Sequence, residues 1–272
     1  MAIKGVYTAL SGAIAQSTKL DTIANNIANV NTPGFKRDQQ VFSEYLTANE
    51  KEPTTIPIPK DVAAIESFYN MQGGDKSYVH EKGTYTDFSQ GSLKRTGGAL
   101  DLAIEGPGFF ELSSPNGVRY TRAGNFTVDG NGRLVTKEGY PVLRVAEEGT
   151  PESERVFQFT AEGPISISEN GQVSQGENLL GQISLVNVAN PDAMMKIGNN
   201  LYGPRPTLAL QLNQIPSPAL KQGFLETSNV NVVSEMTDMI TTHRIFESTQ
   251  KAISAYDSMV DKAVNVVGKT TP

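Results

Sequence analysis

Residues 3–34, IKGVYTALSGAIAQSTKLDTIANNIANVNTPG, decide how the chain is read. Ile3, Val6, Leu10, Ala13, Ser17, Leu20, Ala24 and Ile27 follow one another in alternating steps of three and four. That is the seven-residue period of a coiled-coil seam, with Ser17 its one polar member. Tyr7, Ile14, Ile23 and Val30 widen the apolar stripe, and Lys4, Thr8, Ser11 and Lys19 take the other side. Pro33-Gly34 ends it, because proline lacks the backbone donor and glycine tolerates positive φ. The spacing predicts one helix over residues 3–30.

The other end of the chain repeats the plan. Met239, Phe246, Ile253, Val260 and Val267 form an apolar column spaced by seven, flanked by Met236, Ile240, Tyr256, Ala263 and Val264. Asn231 has the side chain of an N-cap, Ser234 and Glu235 suit a first turn, and Gly268 suits a stop. A second helix is expected over 232–267.

Between about 80 and 190 the pattern changes to short alternating runs separated by glycine turns. Phe109–Leu112 leads through Asn116-Gly117 to Val118–Arg122. Phe126–Val128 leads through Asp129-Gly130-Asn131-Gly132 to Arg133–Val135. Ile165–Ile167 leads through Asn170-Gly171 to Gln172-Val173. Asn-Gly and Asp-Gly between such runs are hairpin signals, since type I′ turns need positive φ at both central residues. Ile183–Val188 is a further strand, ended by Asn190-Pro191. An antiparallel meander or sandwich is expected, with Arg122 as a surface residue. Pro53, Pro57 and Pro59 on one side, and Pro204, Pro206, Pro216 and Pro218 on the other, favour extended connecting arms.

A helix with an apolar stripe depends on packing to stay folded in water. Two arrangements satisfy these helices: packing on the chain's own β-domain, or packing against neighbouring copies in a polymer. Asn25, Asn26 and Asn29 lie within the first helix although asparagine competes with its own backbone for hydrogen bonds. They read either as a fraying helix end or as register-setting contacts across a helix bundle.

Composition removes most other chemistry. The 272 residues are 38% hydrophobic and 19% charged, a globular balance. With no cysteine, disulfides, thiol nucleophiles and cysteine-ligated metal centres are excluded; two histidines, His80 and His243, exclude a multi-histidine centre. A net charge of −6 opposes nucleic-acid binding. No apolar run approaches the roughly 18 residues of a membrane span, and the first ten residues do not read as a cleaved secretory signal. Gly268-Lys269-Thr270 has Ala263 where a phosphate loop needs glycine; Gly106-Pro107-Gly108 has Glu111 where a dinucleotide fingerprint needs its third glycine. Asp129–Arg133 starts like a calcium loop but carries arginine at the fifth position, so it reads as a hairpin turn. His243 has no oriented partner in the sequence, and scattered carboxylates alone do not make a glycosidase pair. No cofactor, metal or catalytic residue is expected. A monomeric β-domain binding module and a cell-wall glycosidase are the rival classes.

Two stretches carry a resemblance to a known family. Ala9-Leu10-Ser11-Gly12 with Leu20-Asp21-Thr22-Ile23-Ala24-Asn25-Asn26-Ile27-Ala28-Asn29-Val30-Asn31-Thr32-Pro33-Gly34-Phe35-Lys36-Arg37 resembles the N-terminal signature of bacterial flagellar axial proteins, the rod and hook subunits. Gly223-Phe224-Leu225-Glu226-Thr227-Ser228-Asn229-Val230-Asn231-Val232-Val233 resembles the matching C-terminal signature. The resemblance implies an α+β subunit whose long terminal helices (1–32 and 231–268) pair as a coiled-coil-like core. Extended arms (33–80 and 203–230) and a central, mainly antiparallel β-domain (81–202) complete it. It further implies a non-enzymatic subunit of a hollow periplasmic rod that transmits torque to the hook. Its partners would be copies of itself, other rod proteins and the flagellar type III export apparatus, reached without a cleaved signal. Subunit contacts then fall on Ile3, Val6, Leu10, Ile14, Leu20, Ile23 and Ile27, on Asn25, Asn26 and Asn29, and on Met236, Met239, Ile240, Phe246, Ile253, Tyr256, Val260 and Val267. Tyr85–Leu93, Leu100–Gly106 and Glu235–Ile240 look more like the proximal-rod type; Leu225–Val232 reads as much like the distal-rod type.

Overall fold

A computed structural model of the chain describes residues 2–45, 78–146, 150–160, 163–215 and 218–262. It is α+β, with two long helices and mainly antiparallel strands. The described residues fall into two compact units. One holds residues up to 25, 39–85 and from 233 onward; the other holds 26–38 and 86–232.

In the first unit, helix α1 (Ala2–Ala28) and helix α2 (Val232–Lys262) stand where the heptad spacing predicts them. The end of α1 tightens through i→i+3 bonds, from Asn29 N–H to Asn26 O at 3.2 Å and from Thr32 N–H to Asn29 O at 3.1 Å. Helix α2 starts directly after Asn231. The last part of its expected span, with Val267 and Gly268, lies outside the described residues. The arm expected over 33–80 differs from expectation at both ends: β1 (Asp38–Tyr45) and β2 (Tyr78–Thr86) pair as a two-stranded ribbon. Residues 46–77, with the three prolines of that arm, lie outside the described residues.

The second unit is the β-domain. Its strands are β3 (Leu93–Arg95), β4 (Leu102–Ile104), β5 (Phe109–Leu112), β6 (Arg119–Thr121), β7 (Thr127–Val128), β8 (Leu134–Val135), β9 (Ile165–Ile167), β10 (Gln172–Gln175), β11 (Asn178–Gln182), β12 (Leu185–Val188), β13 (Met194–Gly198), β14 (Leu201–Pro204), β15 (Leu212–Gln214), β16 (Leu220–Gln222) and β17 (Phe224–Glu226). Six form one sheet in the order β13-β14-β6-β5-β12-β15. Its central strands are buried on both faces, and its edge strands β13 and β15 are largely exposed. Phe110, Leu112 and Leu185 pack with Leu102, Phe126, Leu134 and Phe157, whereas their neighbours Phe109, Val186 and Val188 pack with Tyr120, Met194 and Tyr202. Adjacent residues of a strand point to opposite faces, so a strand covered on both sides carries apolar neighbours such as Phe109-Phe110 and Leu185-Val186, and the buried Glu111 of β5 is held by Arg155 and the Ser184 hydroxyl, each at 2.6 Å.

The expected hairpins form, but their turn chemistry differs. β5 and β6 pair with Phe110 opposite Thr121, β7 and β8 with Thr127 opposite Val135, and β9 and β10 with Ile167 opposite Val173. Within their turns only the glycines have positive φ, for instance Gly117 at 87°, Gly132 at 77° and Gly171 at 78°. Asn116, Asn131 and Asn170 stay on the negative side, so these are not two-residue type I′ turns. Among the described residues the only non-glycine positive φ values are at Asn199 (50°) and Asn200 (56°). Those two residues form the two-residue loop between β13 and β14, where Gly198 pairs with Leu201.

The return arm expected over 203–230 is instead part of the β-domain. β16 pairs with β4, placing Leu220 opposite Ile104, and β17 pairs with β3, placing Glu226 opposite Leu93. The prolines before residue 219 delay the return of the chain; they do not keep β16 and β17 from pairing.

Candidate assembly site

The helices carry the residues expected to make subunit contacts. Along α1 the burial follows two rows that run one residue apart. Val6, Ala9, Ala13, Gln16, Leu20, Ile23 and Ile27 are buried or half-buried; Tyr7, Leu10, Ile14, Ser17, Asp21 and Ala24 are exposed. Both rows advance in steps of three and four. The expected seam takes alternate members from each: Val6, Ala13, Leu20 and Ile27 are covered, while Leu10, Ser17 and Ala24 face out. Ile14 is 60% exposed, whereas Ile23 is 5% exposed and spends its side chain inside the chain. The environment of the Ile3 side chain lies outside what the structure describes.

Helix α2 shows the same division. Glu235, Met239, Thr242, Phe246, Thr249 and Ile253 are buried or half-buried, again in steps of four and three. Three members of the expected column, Met239, Phe246 and Ile253, therefore lie on the covered row. Val260 and Tyr256 are exposed, as are Val233, Met236 and Ile240, the last at 62%. His243 is exposed beside Glu247, 3.5 Å away and one turn on.

The asparagines divide too. Asn26 is 1% exposed. Its Nδ2 donates to the Asp38 carbonyl at 2.9 Å, and its Oδ1 accepts the Asp38 N–H at 3.0 Å. Within the single chain the side chain pairs with the backbone at the start of β1 and satisfies both polar groups of Asp38, so it is not a fraying end. Asn25 is exposed, and half-buried Asn29 accepts the Thr32 hydroxyl at 3.1 Å.

Sequence reading missed the junction where the two terminal signatures meet, inside the second unit. Glu226, of the C-terminal signature, is 1% exposed. Its Oε1 accepts Lys36 Nζ at 2.5 Å and the Gly91 N–H at 2.9 Å; its Oε2 accepts an Arg122 guanidinium nitrogen at 3.3 Å; its backbone carbonyl accepts the Gly34 N–H at 2.8 Å. Lys36 also donates to the Ser89 carbonyl at 2.7 Å, and Arg122 to the Gly106 carbonyl at 2.6 Å. Arg122 is thus not a surface residue. It is 3% exposed, with its guanidinium 5.5 Å from the Phe109 ring centre. Burial lowers the pKa of Lys36, and the Glu226 carboxylate opposes that. Arg122 is lowered by burial and raised by the same carboxylate.

A second set of bonds runs alongside. Asn229 Oδ1 accepts the Arg37 N–H at 2.7 Å, and its Nδ2 donates to the carbonyls of Asp87 at 2.9 Å and Ser89 at 3.2 Å. Lys196 Nζ reaches Asp38 Oδ2 at 2.7 Å and the Lys36 carbonyl at 2.6 Å, and lies 4.0 Å from the Phe35 ring centre. Burial lowers the Lys196 pKa, opposed by its hydrogen bond to Asp38. Glycine makes the close approaches: a Cβ on Gly34 would sit 2.4 Å from Ala123 N, and one on Gly91 would sit 2.0 Å from Thr227 O. Nothing here resembles a nucleophile with a base. The junction ties distant segments of one chain together, and the helices present apolar rows.

Comparison with known proteins points the same way. Three family models match the chain in order: "Flagella basal body rod protein" over residues 6–36, "Flagellar hook protein FlgE/F/G D1 domain" over 103–189, and "Flagellar basal body rod FlgEFG protein C-terminal" over 221–266. The flagellar basal-body rod protein FlgG of Bacillus subtilis (strain 168) is 36% identical over 97% of this chain and 99% of its own length. The FlgG protein of Borreliella burgdorferi is 33% identical over 97% of this chain and 98% of its own. The flagellar basal-body rod protein FlgF of Caulobacter vibrioides is 34% identical over 97% and 98%.

Proposed function

We infer a mechanism of assembly from one premise: this chain belongs to the flagellar basal-body rod protein family. It is a structural subunit of the rod in the flagellar basal body.

The covered rows of α1 and α2 pair within the subunit as a coiled-coil-like core. Their 3.5-residue period suits such a seam, and both helices belong to the same compact unit. The exposed rows then face other subunits. Tyr7, Leu10 and Ile14 on α1, and Val233, Met236 and Ile240 on α2, are the observation that carries this reading: large apolar side chains, in helical register, left facing outward. Copies of the chain and neighbouring rod proteins cover them, forming a hollow tube that crosses the periplasm and passes torque to the hook. The role is one of structure, not catalysis. The subunit leaves the cell through the flagellar type III export apparatus. No helix among the described residues is long and apolar enough to cross a membrane.

The position along the rod is read as proximal, from Tyr85–Leu93 and Glu235–Ile240. The distal position is the second reading, favoured by the FlgG relative at 36% identity against the FlgF relative at 34%. The test of assembly is a Leu10→Asp/Ile240→Asp variant in place of the natural chain. Basal bodies purified from such cells are expected to end at an incomplete rod, with the variant subunit exported but not incorporated. Full-length rods containing the variant would refute the mechanism. Tracing this chain in a density map of intact basal bodies separates the proximal from the distal reading.

A further inference from the structure

We propose that Glu226 is the positioning residue of a register key. It closes the N-terminal signature on the C-terminal one in the free subunit, before any neighbour binds. The proposal rests on the rod reading only for its consequence in assembly; the key itself is a property of the single chain.

Stability alone does not explain the choice of residues. Lys36, Arg122 and Glu226 place three charges where side-chain exposure is 1%, 3% and 1%. Removing such groups from water is costly, and apolar residues of similar volume often hold a core as well or better. Charges differ from apolar side chains in how they respond to error. A slip of one residue in the segment 33–37 would bring to the place of Lys36 either Phe35, which leaves Glu226 without that cation, or Arg37, whose larger planar guanidinium does not reproduce the bonds of an ammonium. An apolar contact would tolerate that slip; a buried carboxylate does not.

The bonding is spread so that one side chain reads several segments at once. The Glu226 carboxylate holds the 33–37 segment through Lys36 Nζ, the 87–92 segment through Gly91 N–H, and the β6 end through Arg122, while its backbone carbonyl holds Gly34 N–H. Lys36 and Glu226 are 190 residues apart in a chain of 272, so the pair closes most of the chain into a loop. Sterics support the same register, because Gly34 and Gly91 leave no room for a Cβ against Ala123 and Thr227. The residues fixed this way are those from which the two helical ends depart: Asn26–Asp38 on one side, Glu226–Val232 on the other, all in the second unit. A subunit with these roots already set loses less conformational freedom when it docks.

The test is hydrogen exchange on the purified full chain, with rod assembly in cells as a separate readout. In Glu226→Gln the amides of Gly34, Asp87, Gly91 and Thr227 are expected to exchange about 100-fold faster, while those of Leu143 and Ser184, in the β-domain core, stay protected. Incorporation into rods should fall with it. If Glu226→Gln does not fold, the paired Lys36→Met/Glu226→Gln variant takes its place. A third variant, Lys36→Met/Arg122→Met/Glu226→Leu, separates a key from a mere stabiliser. It should melt near the natural chain yet keep the fast exchange at the junction and the loss of incorporation. Junction amides as slow as in the natural chain, in the single or the paired variant, would overturn the proposal; so would a triple variant that regains both protection and incorporation. If junction exchange rises as expected while rods form normally, the key stands and its role in assembly falls.

Discussion

In α1 the side chain of Ile14 stands 60% exposed; beyond the same helix, in the same chain, the ammonium-bearing side chain of Lys36 is fully buried. The helices turn grease outward and the junction turns charge inward. Each inverts the usual distribution, and for different reasons. An apolar row in helical register marks a surface that waits for a partner. A buried carboxylate with two cations and a backbone donor marks a surface already closed. The contrast teaches where this subunit is complete by itself and where it is not.

The comparison breaks most easily in the β-domain. Phe110→Ala removes a fully buried ring from a central strand covered on both faces and should cost about 3–5 kcal/mol, measured by urea unfolding of the free chain. A loss near zero would mean that the domain is far less closed than its burial implies. Next in size is Asn26→Ala, which leaves the Asp38 N–H and carbonyl without their side-chain partner. About 2 kcal/mol should be lost on thermal unfolding, and Asn25→Ala should cost clearly less.

A smaller effect is set by pH. The hydrogen bond from the Arg133 N–H holds the Asp129 carboxyl below its ordinary value of 3.8, helped by bonds from the Arg133 side chain and the Asn131 N–H. A depressed folded-state pKa contributes stability that is fully present above 3.8 and disappears as pH falls through the lower, folded value. Acid titrations of the natural chain and Asp129→Asn should therefore diverge above that window and converge below it. The smallest change expected in the free chain sharpens the comparison most. Ile14→Ser and Ile240→Ser should alter its stability by no more than about 0.5 kcal/mol, because the side chains already face water. Their effect should appear in rod assembly, scored by motility and by isolated basal bodies. Equal damage to fold and assembly would mean that those rows are not partner surfaces.

Periodicity made the helices legible, because it is written over some thirty residues at each end. It did not say which of two adjacent rows the chain would cover. Gln16 interrupts the covered row of α1, and Ser17 and Asp21 interrupt the exposed one; the charge of Asp21 is the signal, but the expected seam crosses between the rows and does not use it. The strand runs around Phe109, Phe126 and Ile165 were readable for the same local reason. The turn between β13 and β14 was not, because Asn199-Asn200 lacks the glycine that usually announces positive φ. The junction was illegible for a different reason. Lys36, Arg122 and Glu226 are ordinary charged residues in sequence, and only the fold brings together groups 104 and 190 residues apart. Arg122, read locally, belonged to a surface hairpin; its burial is a property of partners far away along the chain.

The two rows of α1, one step apart, have a consequence for how such a chain can vary over time. A replacement at Leu10 or Ala13 disturbs one side of the helix and leaves the other in place. A single inserted or deleted residue between them rotates everything upstream by about 100° and trades the inner side for the outer over that whole length. This segment can therefore change its letters far more readily than its count.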